Sequence, residues 1–169
     1  MLGLTAPGVV HTLASLVALV CGFRALARDH EIKPGNLLGQ VYLAATVITA
    51  GTALVIFQHH GFGPGHALAI VTLLALTVGS IAAFTRMFGR WSRDVQAIGY
   101  SSTLLFHLIP GVTEALTRLP FGHPVLANAE APEFRAIYGA LLMLFLVGIT
   151  FQLRWLHAHP GRGIAPLAS

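Results

Sequence analysis

Charge is what this sequence has least of. Only 9% of its 169 residues are charged, ten Lys or Arg and six Asp or Glu. A soluble domain carries about 25%, so these charges cannot cover a water-soluble globule of this size. The deficit excludes an ordinary soluble enzyme and, with so many apolar residues, a disordered tail. Cysteine is scarcer still. Cys21 stands alone, which excludes an intrachain disulfide and a cysteine-based metal knuckle. It lies in an apolar run and reads as a small packing residue. There is no HExxH, no HxxxH and no nucleophile elbow, which disfavours hydrolysis by a Ser or Cys nucleophile. The first residues, Met1 to Gly8, carry no basic cluster and no small-x-small cleavage site follows, so the first apolar run is expected to be retained.

What is present is apolar. Hydrophobic residues make up 55% of the chain and the mean hydropathy is +0.74. This is the composition of a small integral membrane protein. The pI near 10.0 rests on scattered residues, with no basic stripe and no interleaved aromatics. It argues for membrane topology and against nucleic acid.

A membrane span needs roughly 20 mostly apolar residues. Five stretches meet that length: Gly8 to Ala27, Leu37 to Gln58, His66 to Thr85, Val95 to Thr117 and Phe134 to Leu156. Gly and Pro cluster between them, as in Lys33-Pro34-Gly35-Asn36 and Gly61-Phe62-Gly63-Pro64-Gly65. Backbone groups in lipid must bond within their own segment, so runs this long read as helices. The expected fold is all-α: a single-domain, polytopic bundle of five transmembrane helices.

Basic residues alternate between the connections. Arg24, Arg28 and Lys33 flank the first. The second has none, and Arg86, Arg90 and Arg93 fill the third. Arg118 and Arg135 bracket the fourth, and Arg154 and Arg162 accompany the C-terminal end. The positive-inside rule then expects the N-terminus outside and the C-terminus in the cytoplasm, as a multi-pass protein of a bacterial inner membrane. Trp91 and Trp155 read as anchors at the cytoplasmic interface.

That topology sorts nine His. His30, His157 and His159 fall on the inner side, and His11, His59, His60, His66, His107 and His123 in the outer half. The fourth span is the most patterned. Gln96, Tyr100, Thr103, His107, Pro110 and Glu114 recur at spacings of 4 and 3, which places them on one helix face. Pro110 removes a bond to the Phe106 carbonyl and predicts a kink beside His107. On the first span, His11, Ser15, Ala18 and Gly22 form a small face suited to close helix approach. Ionisable groups at this depth are expected to face the bundle interior or a wet cavity.

Two kinds of site follow. A metal site for Zn, Cu or Fe has as candidate ligands His11, His59, His60, His66, His107 and Glu114. A cofactor site, for example haem b between facing imidazoles, has as candidates His107, His11, His66 and Tyr100. The leading expectation is an outward-facing His/Glu pocket for redox chemistry or metal handling. A quinone is a further possible occupant, since imidazole, Glu and Tyr suit quinone oxygens. Each residue also has a plainer reading. Interfacial imidazoles are often simply solvated, His11 can serve as an interhelical bond, and His107 with Glu114 can fix helix register. A non-catalytic accessory subunit of a larger membrane complex, or a homo-oligomer, is one alternative. A small proton or metal transporter is another. No reaction is specified.

The segment from Lys33 to Leu119 resembles an uncharacterised bacterial membrane-protein family, domain of unknown function 2306. The resemblance lies in Leu38-Gly39-Gln40-Val41-Tyr42 after a short basic turn, and in the Arg-containing turn before the fourth span. It implies a multi-span inner-membrane protein and adds no established chemistry. The family pattern places a His just before the Gly-x-x-Tyr-like opening; Asn36 stands there, so no histidine role carries over.

Overall fold

The computed structural model describes residues 6–56, 61–85 and 87–160. It is helical, with no strand among the described residues. Five long helices follow one another: α1 (Ala6–Asp29), α2 (Leu37–Val55), α3 (Pro64–Thr85), α4 (Ser92–Arg118) and α5 (Glu133–Ala158). A single 3₁₀ turn over Gly89–Trp91 leads into α4. Each helix covers one of the expected apolar stretches, with bounds shifted by a few residues. The end of the second stretch, with His59 and His60, lies outside the described residues, as do Arg86 and Arg162.

Local chemistry sets the helix starts. Asn36 is extended and its side-chain oxygen accepts from the Gly39 N–H at 2.8 Å, the capping bond that opens α2. Pro64 begins α3, where its missing N–H leaves no intrahelical bond unmade. α1 ends where His30 takes the left-handed conformation (φ 58°) while its N–H bonds the Leu26 carbonyl.

Four helices, α1, α2, α3 and α5, are long and apolar enough to cross a membrane. α4 is long enough but too polar by composition. It is also the helix with the most buried residues, among them Asp94, Tyr100, Ser101, Thr103 and His107. The two facts have one cause: the polar groups of α4 bond inside the bundle. Meanwhile large apolar side chains face outward, with Leu13 59%, Val20 67%, Phe84 66% and Phe151 69% exposed. An interior of Ala, Gly, Thr and Ser with Leu, Val and Phe outside inverts the pattern of a soluble protein and suits lipid surroundings.

α1 packs along α2, and α3 along α4, with α5 against α4. Ala18, Ala25, Tyr42, Ala45, Leu76, Tyr100 and Leu104 meet at the centre. Small residues allow the approach. A Cβ on Gly99 would stand 2.9 Å from the Ala75 carbonyl oxygen and 3.0 Å from the Gly79 Cα. The α3–α4 contact is therefore backbone against backbone. On the expected small face of α1, Ala18 and Gly22 are buried, and Gly22 fits against the Tyr42 ring and Leu104.

Candidate functional site

The side chains of interest divide into three layers along the bundle. The middle layer is a chain of hydrogen bonds whose direction can be worked out. The Thr46 hydroxyl donates to the Tyr42 carbonyl at 2.8 Å. Its oxygen, 3.1 Å from His107 Nε2, therefore accepts from that nitrogen. His107 Nδ1 is then a lone pair and accepts from the Ser15 hydroxyl at 3.3 Å. Both ring nitrogens of His107 are engaged in this neutral tautomer. Just below it, the Thr103 and Tyr42 hydroxyls both point their donors at the Tyr100 carbonyl, at 2.8 and 3.1 Å, and the two hydroxyl oxygens are 2.6 Å apart. Tyr42, Tyr100 and Thr103 are completely buried.

Toward the Gly8 end of α1 and the Arg118 end of α4 the helices open into a cavity of about 550 Å³. All four of α1 to α4 contribute to its walls. His11, Thr49, His66, His107, Glu114 and Arg118 are its chemically distinctive lining residues. Ala50, Ala53, Ala69 and Phe106 supply apolar wall. The volume falls within the range of small-molecule sites, roughly 300–1,000 Å³.

Each imidazole of the pocket has a defined orientation. His11 Nδ1 lies 2.9 Å from the Thr49 carbonyl oxygen, which can only accept, so Nδ1 carries the proton. With the proton on Nδ1, the neutral form of the ring has its lone pair at Nε2, and no described group bonds that nitrogen. His66 opens α3, is buried, and its Nδ1 accepts from the Gly63 N–H at 3.2 Å while its ring stacks on Phe62. That bond holds the glycine-rich turn against the mouth of the pocket. Glu114 pairs with Arg118 one turn along, and both side chains are more than half solvent-accessible or close to it, at 57% and 50%. Pro110 also lines the pocket, and α4 runs through it as one helix.

The expected candidates thus separate. His11, His66, His107 and Glu114 surround one cavity. Tyr100 does not reach it: the ring lies between α3 and α4, its hydroxyl 3.1 Å from Ser80 Oγ. Gln96 also turns inward, donating to the Ile32 carbonyl at 3.0 Å. Their helix face was correctly grouped, but the inner half of it is packing. His59 and His60 lie outside the described residues. Among the described residues no three His, Cys, Asp or Glu side chains gather as a metal-ligand set.

The third layer, at the other end, is a polar knot around Glu31. This carboxylate is 2% exposed and receives Arg93 Nη2 at 2.8 Å, with Lys33 Nζ 3.4 Å away. Arg93 Nη1 donates to the His159 carbonyl at 2.8 Å, tying the end of α5 to the start of α4. His157 lies 3.0 Å from Asp94, and Gln152 bridges Ser101 to the His30 carbonyl. The sequence reading assigned Arg93 to topology and passed over Glu31. An acid in a short polar turn gives no sign of burial by itself. Arg118 was likewise read as a connection residue, although its i, i+4 spacing from Glu114 is the signature of a helix-surface ion pair.

No family model matches this chain, and neither the curated proteins nor the solved structures contain a match to it.

Proposed function

We propose that the chain is a five-span membrane protein, N-terminus out and C-terminus in, that binds a lipid-soluble molecule of the quinol type in the pocket between α1, α2, α3 and α4. Three things support the membrane placement. Four helices are apolar enough to span. α4 matches their length and hides its polar groups among them. The basic residues Arg28, Lys33, Arg90, Arg93 and Arg154 collect at one end, against Arg118 and Arg135 at the other.

The single observation that carries the ligand class is the bond between His11 Nδ1 and the Thr49 carbonyl, which leaves Nε2 as the acceptor of the neutral ring. A lone pair at Nε2, in a cavity of 550 Å³ with apolar walls, selects a hydroxyl donor on an otherwise apolar molecule. Arg118 offers a hydrogen-bond donor at the same pocket for a second oxygen. His107 stands behind as a positioning residue, since both its nitrogens are engaged. Inward of it, Tyr42, Thr103 and Tyr100 fill the bundle, which favours a pocket over a through-route for protons or metal ions.

A transition metal or haem held by His11 and His66 is the second reading. It is favoured by two imidazoles sharing one cavity, with His59 and His60 near in sequence. One preparation tests both. Natively purified protein is examined by absorption spectroscopy and elemental analysis, then titrated with a short-tailed benzoquinol under anaerobic conditions. Saturable quinol binding that is lost in His11→Phe supports the proposal. Absence of binding overturns it. A Soret band or stoichiometric metal, abolished by the same substitution, establishes the second reading in its place.

A further inference from the structure

A second cavity, of about 700 Å³, lies on the opposite side of α4, between α1, α4 and α5. Its walls are almost wholly hydrocarbon: Phe23 and Leu26 from α1, Leu104 and Leu108 from α4, and Leu144 and Phe145 from α5 are representative. Its polar groups include His30, Gln152, Arg154 and Trp155. Three of these are organised. Gln152 donates to the His30 carbonyl at 2.9 Å, and the Trp155 ring lies 4.3 Å from the His30 ring and 4.5 Å from that of His159. Arg154 is exposed, and no described acid pairs with it. The groove is therefore a long apolar slot with an unneutralised guanidinium and an aromatic stack at one end.

From this geometry we infer that the α1–α4–α5 groove is a binding site for one acyl chain of an anionic phospholipid, its phosphate at Arg154 and His30. Length agrees with this occupant. Leu141 and Trp155, both lining the groove, are about 21 Å apart along α5 at 1.5 Å per residue. That exceeds the roughly 15 Å half-thickness of a bilayer core, so the slot accommodates a chain within one leaflet. Charge agrees as well. A neutral helix from a second copy of the chain would leave Arg154 unpaired, whereas an anionic headgroup satisfies it in the planar, two-pronged manner guanidinium favours. The ring stack supplies the amphipathic collar that Trp and His form at the headgroup level. The inference rests on the membrane placement proposed above but not on the quinol pocket.

Trp155 reports on this site directly, because Trp91 is the only other tryptophan. Trp91→Phe protein is reconstituted in phosphatidylcholine vesicles containing equal fractions of either phosphatidylglycerol or phosphatidylcholine brominated near the glycerol end of the chain. Trp155 quenching is expected to favour the brominated phosphatidylglycerol by about fivefold in local concentration, the preference one basic residue gives for an anionic headgroup. Arg154→Gln is expected to abolish the preference. Gly148→Phe, at a position where added atoms meet open space, is expected to fill the slot and reduce quenching by both lipids. Equal quenching by the two lipids, unchanged in Arg154→Gln, overturns the inference. So does absence of quenching. In that case Trp91 in a Trp155→Phe variant separates the causes: quenched Trp91 means protein covers the groove, and unquenched Trp91 means the membrane placement itself has failed.

Discussion

His107 Nε2 and Thr46 Oγ1 lie 3.1 Å apart inside the bundle, and the direction of their bond is fixed by where the Thr46 proton goes. Because that proton is given to the Tyr42 carbonyl, the hydroxyl oxygen is an acceptor and His107 carries a proton on Nε2. One threonine thus orients the most buried of the described histidines. Ser15 completes the arrangement from α1. The three helices α1, α2 and α4 are registered by two side-chain hydrogen bonds to a single ring.

Thr46→Val is expected to destabilise the protein more than Ser15→Ala. Valine preserves the shape of threonine and leaves the His107 Nε2–H without an acceptor, at about 1–3 kcal/mol for a buried unsatisfied donor. Ser15→Ala removes a longer bond, and the loss is about 0.5–1.5 kcal/mol, the net worth of an ordinary hydrogen bond. Thermal unfolding in detergent, followed for both variants beside wild type, measures the order. A Thr46→Val midpoint at or above that of Ser15→Ala contradicts the assignment of donor and acceptor.

Two glycines, one on α4 and one on α5, predict a sharper contrast. At Gly99 an added methyl group meets backbone atoms of α3 that cannot turn aside. Gly99→Ala is expected to lower stability by about 1–3 kcal/mol, the usual range for overpacking. At Gly139 on α5 nothing lies within 4 Å, so Gly139→Ala is expected to be neutral or to gain up to about 1 kcal/mol from helix propensity. Parallel melting curves decide the point. If both alanines behave alike, the α3–α4 backbone contact is looser than these distances imply.

The Glu31–Arg93 pair makes a third expectation. Glu31→Gln leaves the guanidinium facing a neutral group, and Arg93→Met leaves a carboxylate buried beside Lys33 alone. Breaking a buried pair from one side costs about 3–5 kcal/mol. Arg93 retains some solvent contact at 20% side-chain exposure, which places its cost at about the lower end of that range. The double substitution Glu31→Gln with Arg93→Met is expected to be less harmful than Arg93→Met, since no uncompensated carboxylate remains. Urea or thermal unfolding of the three variants forms the cycle, and strictly additive losses are the outcome that contradicts it.

The helices were legible because a run of apolar residues is a property of the chain itself. The helix face of α4 was legible for the same reason: Gln96, Tyr100, Thr103, His107, Pro110 and Glu114 keep their spacing whatever they touch. Their partners were not legible. Tyr100 and Gln96 look like pocket residues until α3 and the α1–α2 connection are seen to cover them, by way of Ser80 and Ile32. Glu31 is one of several acids near turns, and only the arrival of Arg93 from 62 positions away distinguishes it. The hydropathy of α4 understates its environment, since hydropathy counts a Thr or His as exposed whether or not a neighbouring helix satisfies it.

The pocket residues are expected to separate stability from binding, the reverse of the behaviour of Thr46 and Glu31. Glu114 and Arg118 form an i, i+4 pair on an exposed surface, and such pairs contribute only about 0.2–0.5 kcal/mol. Glu114→Gln is therefore expected to leave the melting temperature of the ligand-free protein almost unchanged. His11→Phe retains the ring volume and gives up the Nδ1 bond shared by the Thr49 carbonyl and Thr52 Oγ1, both of which keep bonds within α2, a loss of about 1 kcal/mol. In both variants the larger effect is expected on the ligand. Removing the acceptor proposed to meet the ligand hydroxyl is expected to weaken binding by about tenfold or more, by the unpaired-group penalty of roughly 1–3 kcal/mol. For Glu114→Gln the change is smaller, because Arg118 remains and gains freedom to reorient. A benzoquinol titration of wild type, His11→Phe and Glu114→Gln, paired with melting curves of the same preparations, reads both quantities. Binding that falls only in proportion to stability assigns these residues to the scaffold. Binding that falls while the melting curves hold assigns them to the ligand.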